Sequence, residues 1–272
     1  MKYILLAPIL VFASMFVFWP LVELFIISMY KTDFISSYFV GLKNYFTIFN
    51  NVAFTQSIIN SVFYMVLIVA MTTLLSLTIT FLVFRETKKW HDITRIVVYL
   101  PMLSAGVIIS QIWRWIFNVR GPINWILGTD IEWFSQGITA IPAISLVMAF
   151  TISGSHVIIF LASILSIPKD LFEAAQIDGA SWKQIYLFII LPHILPIVAV
   201  MMLVSAIAAP QIFEFIYALA PFEHSSTMAW SIYVEAFQMG RHGTAAAMSV
   251  VLLFMLLVLS WLKTRLQHDE QE

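Results

Sequence analysis

The chain contains no cysteine, which excludes a disulfide scaffold, a thiolate metal site and a cysteine nucleophile. Charge is also scarce: Asp, Glu, Lys and Arg make up 11% of the 272 residues, while 61% are hydrophobic. A water-soluble domain carries about 25% charged and about 45–50% apolar residues, so the charges here are too few to cover a soluble globule. The net charge of −1 provides no basic surface for nucleic acid. None of the nine glycines opens a G-x-x-x-x-G-K-[ST] phosphate loop, so this chain is not expected to hydrolyse ATP alone. The histidines, at positions 91, 156, 193, 224, 242 and 268, show no H-E-x-x-H spacing. The positive charges form no ladder of the kind a voltage sensor needs, and no Ser/His/Asp arrangement can be singled out.

Long apolar runs are what the chain does have. A helix needs about 20 mostly apolar residues to cross the hydrocarbon core, and inside that core every backbone N–H and C=O must find an internal partner. The sequence predicts an all-α, polytopic membrane protein with six spans, forming one membrane domain over residues 1–272. They run Tyr3–Tyr30, Ile58–Phe84, Ile96–Phe117 with a kink near Pro101, Pro142–Ile167, Ile194–Leu219 carrying Pro196 and Pro210, and Gly243–Leu262. The first run is too long and bulky for a signal peptide and reads as a retained helix. Short alternating segments of the kind that build a membrane β-barrel are not seen.

Lys and Arg set the orientation. With the N-terminus inside, the inner segments hold Lys2, Arg85, Lys88, Lys89, Arg95, Lys169, Lys183, Lys263 and Arg265. The outer segments hold only Lys31, Lys43, Arg114, Arg120 and Arg241. Both termini are therefore expected in the cytoplasm, in a cell (inner) membrane. The outer loops are too short for a separate domain, so capture of any external solute falls to another chain.

The inner loop between the fourth and fifth spans, residues 168–192, has its own local design. Pro168 discourages continuation of the fourth span. Asp170 and Glu173 have capping-box spacing, Ser181 and Gln184 have it again, and Gly179 can close a helix in the left-handed conformation. The expectation is a short helix, a glycine turn and a second helix at the cytoplasmic surface, with Pro192 and Pro196 bending the chain back into the membrane. An ordinary hairpin and a functional elbow fit this spacing equally.

The residue pattern separates them. Glu173-Ala174-Ala175, Asp178-Gly179-Ala180, Leu191-Pro192 and Pro196 resemble the EAA loop of ABC importer permeases. The likeness extends along most of the chain. Ala7-Pro8, Phe18-Trp19-Pro20, Gly41-Leu42-Lys43-Asn44-Tyr45, Asn60, Gly121-Pro122-Ile123-Asn124 and Ala245-Ala246-Ala247-Met248-Ser249 are similar to the MalF/UgpA-type carbohydrate permeases. One segment departs: where that family often has Gly-Gly-Pro and Thr, this chain has Ala220-Pro221-Phe222-Glu223-His224 with Thr227 further on. Different outer contacts are expected there.

The resemblance implies a type I ABC importer permease, a transport subunit rather than an enzyme. It implies two ATPase subunits that bind ATP and Mg, a second homologous permease, an extracytoplasmic solute-binding protein and a lipid bilayer as partners. No cofactor is implied in this chain. Glu173, Ala174, Ala175, Asp178, Gly179 and Ala180 would form a coupling helix and its turn. Glu173 would offer its charge to a basic partner group or cap its own helix. Transport would proceed by alternating access, with a carbohydrate or related polyhydroxylated solute.

Polar groups inside spans are costly and so are pathway candidates. They are Gln111, His156, Gln211 and Glu214, with Phe213 or Trp113 as apolar stacking faces. Hydrogen bonding between helices is the competing role for each. Two competing functions stand beside the first: an ion- or proton-coupled carrier, for which internal repeats and mid-membrane charges are the signature, and an ABC permease for a non-sugar solute. No clear repeat between the halves is present.

Overall fold

The computed structural model describes residues 2–32, 36–85 and 100–269. Lys88, Lys89, Trp90, Arg95 and the start of the predicted third span lie outside the described residues. The helices are α1 (Lys2–Ala13), α2 (Trp19–Ser28), α3 (Lys43–Phe49), α4 (Val52–Arg85), α5 (Gly106–Ile116), α6 (Pro122–Leu127), α7 (Gly137–Ile164), α8 (Lys169–Ile177), α9 (Trp182–Ile185), α10 (Leu191–Ala208), α11 (Glu214–Leu219), α12 (Met228–Tyr233) and α13 (His242–Asp269). A small antiparallel pair, β1 (Tyr30–Thr32) and β2 (Ser37–Phe39), aligns Tyr30 with Phe39, a feature the sequence pattern did not reveal.

Among the described residues, five helical stretches are long and apolar enough to cross a membrane: Pro8–Ser28, Val52–Phe84, Gly137–Ile164, Trp182–Gln211 and His242–Arg265. They carry the predicted first, second, fourth, fifth and sixth runs. The all-α, polytopic class is thus present, and the third run takes a different form. Helical residues 100–103 stop at Ser104, Ala105 is extended (φ −61°, ψ 136°), and Gly106 starts α5. The predicted kink at Pro101 is instead a break a turn later, because the small Ser104-Ala105-Gly106 run lets the chain leave the helix and restart.

The predicted fifth span is also corrected. One helical stretch runs from Trp182 to Gln211, so the helix continues through Pro192 and Pro196 and does not restart after them. A π-turn at Tyr186–Ile190, closed by the Leu191 N–H on the Tyr186 carbonyl, absorbs Pro192. The wider turn relieves the clash between the proline ring and the preceding turn. The span then ends near Pro210 in a 3-10 turn, Ala209–Gln211, and Ile212 is extended (φ −62°, ψ 117°). Residues 214–219 form the separate α11.

The α4–α7 pair is the spine of the bundle. Along α4, Ser57, Asn60, Ser61, Tyr64, Ile68, Thr72, Ser76, Thr80 and Val83 are all buried, a 3–4 residue repeat that makes one continuous inner face. Its middle is small and polar. Ser76 and Thr80 return their hydroxyls to the carbonyls four residues back, at 2.7 Å each, so the face packs closely with these two donors satisfied, while the buried Thr72 hydroxyl has no partner among the described residues. In α7, 56% of the apolar window is buried in the chain, against 0% for Pro8–Ser28. α7 is therefore central, and the first span leaves its apolar surface for lipid or another subunit.

At the N-terminal end of α4 the departing loop, residues 220–228, is drawn inward. Ala220, Ser225, Ser226, Thr227 and Met228 are buried. Asn60 Nδ2 donates to the carbonyls of Glu223, His224 and Ser226 at 3.5, 3.3 and 3.1 Å. Gln56 donates to Asn60 Oδ1 at 2.9 Å, and the Tyr64 hydroxyl donates to the Ser225 carbonyl at 3.1 Å. Side chains of the second span thus supply donors to the His224, Ser225 and Ser226 carbonyls of this loop and share the Glu223 carbonyl with the Ser226 N–H.

Candidate functional site

Two places combine exposure with built geometry. The first is the inner elbow. α8 ends with Asp178 at its C-cap, and Gly179 takes φ +75°. The Gly179 N–H bonds the Gln176 carbonyl at 3.1 Å and the Ala180 N–H bonds the Ala175 carbonyl at 2.9 Å. These two bonds complete a Schellman closure. Two residues later the Ser181–Gln184 capping box is formed in both directions, with Gln184 Oε1 accepting from the Ser181 N–H at 2.8 Å and from its hydroxyl at 2.7 Å. The other expected box is absent. Pro168 is the N-cap of α8 and no side chain caps it, since the helix starts two positions too early for Asp170 to occupy that position. Glu173 is therefore free of a capping role.

The elbow has an inner and an outer face. Phe172, Ala175 and Ala180 pack on a core of Ile164, Ile185, Ile190 and Ile194 with Phe84. Phe84 meets Phe172 at 5.9 Å and Trp182 at 6.2 Å between ring centroids, and the Tyr186 hydroxyl donates to the Leu77 carbonyl at 3.0 Å. The outer face carries Glu173, Ala174 and Asp178, all exposed. It also carries Ile177 at 86% exposure and Leu171 at 49%. Those two apolar residues were missed in the sequence, although an Ile and a Leu off the Phe172–Ala175 face of a polar helix are a legible sign of a docking surface.

The second place joins the two helix breaks. α11 packs along α5. Glu214, the first residue of α11, lies against Gly106, the first residue of α5, so closely that a Cβ on Gly106 would overlap the Glu214 carboxylate. At the other end Arg114 of α5 donates to the Ala218 carbonyl. A carboxylate at one helix start and a guanidinium near the other helix end both complement the backbone dipoles. Gly106 is ten residues from the outer end of α5 at Ile116, which puts the Glu214 carboxylate about 15 Å below that end at 1.5 Å per residue. That is about half of the 30 Å hydrocarbon thickness.

Gln111, Gln211 and Glu214 are all exposed on the chain surface, and Gln211 also donates to the Ile207 carbonyl at 2.7 Å. His156 is placed elsewhere: it is 2% exposed in α7 and stacks on Phe160. Trp113 packs between Phe117 and Phe150. Phe213 instead heads a cluster with Tyr217, Trp230 and Tyr233, extended by Phe237. Tyr217 is 52% and Phe237 72% exposed. Tyr217, Trp230, Tyr233 and Phe237 were missed as a group because the fold joins them across the outer loop.

Residues 84–269 match the family described as "Binding-protein-dependent transport system inner membrane component". The chain is 28% identical over 270 residues to the arabinooligosaccharides transport system permease protein AraP of Halalkalibacterium halodurans, across 95% of this chain and 84% of that protein. It is 29% identical to the trehalose/maltose transport system permease protein MalF of Thermococcus litoralis, across 95% of this chain and 90% of that protein. A chain of a bacterial ABC transporter involved in the import of the acidic polysaccharide alginate superposes with TM-score 0.78 at 25% identity, covering 97% of this chain and 95% of that one. A second alginate transporter structure, in complex with an alginate pentasaccharide-bound periplasmic protein, superposes with TM-score 0.82 at 23% identity, covering 100% and 95%.

Proposed function

This chain belongs to the family of binding-protein-dependent transport system inner membrane components, and on that premise we propose that it is the permease half of an ATP-driven importer of a carbohydrate or related polyhydroxylated solute. As a multi-pass inner-membrane component, it supplies half of the translocation pathway. Two ATPase subunits supply the energy and hold the ATP and Mg, a second homologous permease completes the pathway, and a solute-binding protein delivers from outside. Both termini lie in the cytoplasm, the chain is one membrane domain, and residues 168–192 are its coupling segment.

The observation that carries this reading is the elbow. A solvent-facing helix with Ile177 86% exposed is followed at its C-terminal end by a closed turn and then a capping box. An apolar side chain presented on a rigid support is an anchor for a partner groove. Glu173 and Asp178 on the same exposed surface meet basic groups of that partner, while Ala174 permits close approach. Gly179 and Ala180 turn the chain beneath it. When the ATPases close on ATP, the two elbows are drawn together and the permeases rock between inward-open and outward-open states.

The carbohydrate assignment rests on the named relatives and on the partly exposed aromatic cluster around Phe213 and Tyr217. Aromatic faces bind the apolar faces of sugar rings, and amides such as Gln111 and Gln211 serve hydroxyl groups. The test is reconstitution. The tagged chain, purified with its associated subunits, is expected to bring down an ATPase and to import a labelled oligosaccharide only with ATP. Uptake driven by an ion gradient without ATP overturns the reading, and ATP-driven uptake confined to non-sugar solutes overturns the substrate class.

A further inference from the structure

Within the proposed pathway, which this inference takes as its premise, we infer that Glu214 sets the sign of the solute: the transported molecule is uncharged or cationic, and anionic sugars are rejected. The fold itself leaves that sign open, because the same architecture serves an importer of an acidic polysaccharide and side chains decide what a fold handles.

The argument starts from depth. Glu214 sits about 15 Å below the outer end of α5 at 1.5 Å per residue, yet its side chain is exposed on the chain surface. An exposed carboxylate at that depth is too costly against lipid, so it faces a water-filled path or another subunit along that path. No cation among the described residues forms a salt bridge with it. Arg241 with Glu235 is the one ion pair among the described residues. The cation of this helix pair is the Arg114 guanidinium, which donates to the Ala218 carbonyl, four residues along α11 from Glu214 or about 6 Å of helix rise.

The second point concerns the start of α5. A half-helix N-terminus inside a transporter is an attractive seat for an anionic group of a solute. Here the Glu214 carboxylate already covers it, over a glycine whose missing side chain leaves the room. The seat that would recognise an acid is filled by the protein's own acid. The neighbouring exposed groups, Gln111, Gln211 and Tyr217, are uncharged and suit hydroxyls. A uronate or sugar phosphate at about 6 Å from Glu214 is disfavoured about a hundredfold by that carboxylate alone, at an effective dielectric constant of about 20, and the Arg114 guanidinium at Ala218 offsets part of this.

The absence of native cysteine makes a direct test clean. Gln211→Cys introduces the single thiol of the chain, three residues from Glu214 and so within about 11 Å of it. The purified complex is treated with trimethylammonioethyl or sulfonatoethyl methanethiosulfonate, with rates normalised to free cysteine. The cationic reagent is expected to react faster by about tenfold or more, and Glu214→Gln is expected to bring the ratio towards one. Gly106→Ala, which pushes the carboxylate off the helix start, is expected to change the ratio while retaining a preference for the cation. A thiol that neither reagent reaches, or a ratio unaffected by Glu214→Gln, overturns the inference. A parallel uptake arm pairs maltotriose with trigalacturonate. Importation of trigalacturonate by the unaltered protein as fast as maltotriose overturns the inference even where ATP-dependence stands, whereas loss of ATP-dependence strikes the premise and leaves the reagent ratio as its own result.

Discussion

Replacing Gly179 probes the elbow with little besides backbone conformation at stake. Gly179 sits at φ +75° and an added Cβ meets nothing within 4 Å, so sterics with neighbours contribute nothing. What remains is the cost of holding an L-residue in the left-handed region, about 1–2 kcal/mol, lowest for Asn and highest for a β-branched side chain. That cost opposes the two bonds that close α8, at 3.1 and 2.9 Å. The closed turn is then expected to lose about 5–30-fold in population relative to the opened one. Trypsin cleavage after the exposed Lys183 reads this directly, since nicking follows the open population when closing is fast. The unaltered protein and Gly179→Asn are expected to be nicked slowest, then Gly179→Ala, then Gly179→Val. ATP hydrolysed per solute imported should rise in the same order, with the Val variant still inserted in the membrane. Should Gly179→Asn behave like Gly179→Val, or should Gly179→Ala be cleaved no faster than the unaltered protein, the backbone argument is refuted.

Three further outcomes are expected. Asn60→Ala removes the donor that the Ser226 and His224 carbonyls share, while the Glu223 carbonyl keeps the Ser226 N–H and hydroxyl, at a cost of about 1–3 kcal/mol for a buried group left unsatisfied; a lowered melting temperature in detergent checks it, and an unchanged one refutes it. Ile177→Asp alters a side chain that is 86% exposed, so the isolated chain should melt as before while co-purification of the ATPase falls about tenfold or more, as for loss of an interface anchor. Gly243→Ala places a methyl group onto the Tyr30 carbonyl and against Asn44 Nδ2; because backbone cannot yield as a side-chain tip does, the contact of α13 with α2 and β1 should loosen by about 1–3 kcal/mol, read as a lower melting temperature.

The elbow was legible in sequence because its chemistry is local. Gly179 and the Ser181–Gln184 box act over three or four residues, and the structure shows both. The Asp170–Glu173 box had equal spacing and failed, since Pro168 took the N-cap and the helix starts two positions earlier than that box requires. The broken third and fifth runs were less visible. Hydropathy continues across Ser104-Ala105 and Ile212-Phe213, so a count of apolar residues sees no interruption where the backbone leaves the helix. Pro192 marked a helix start in the sequence for the opposite reason: it interrupts a helix only if the turn before it cannot widen, and the π-turn at Tyr186–Ile190 does widen. Gln211 and Glu214 stood near one another in the sequence, but the seat of Glu214 on Gly106 joins residues of different runs. The aromatic group of Phe213, Tyr217, Trp230 and Tyr233 depends in the same way on how the outer loop folds back.

The unbroken stretch from Trp182 to Gln211 has a mechanical meaning. It is 30 residues long, hence about 45 Å from end to end, and it starts at the elbow and stops at the break beside Glu214. A stiff rod of that length works as leverage: tilting its base by about 5° swings its tip by about 4 Å. Such a stroke is comparable to the width of a sugar hydroxyl's hydrogen-bonding shell. In the proposed importer, a motor that never touches the cargo would thereby loosen its grip from one side of the membrane while the other end of the rod does the releasing.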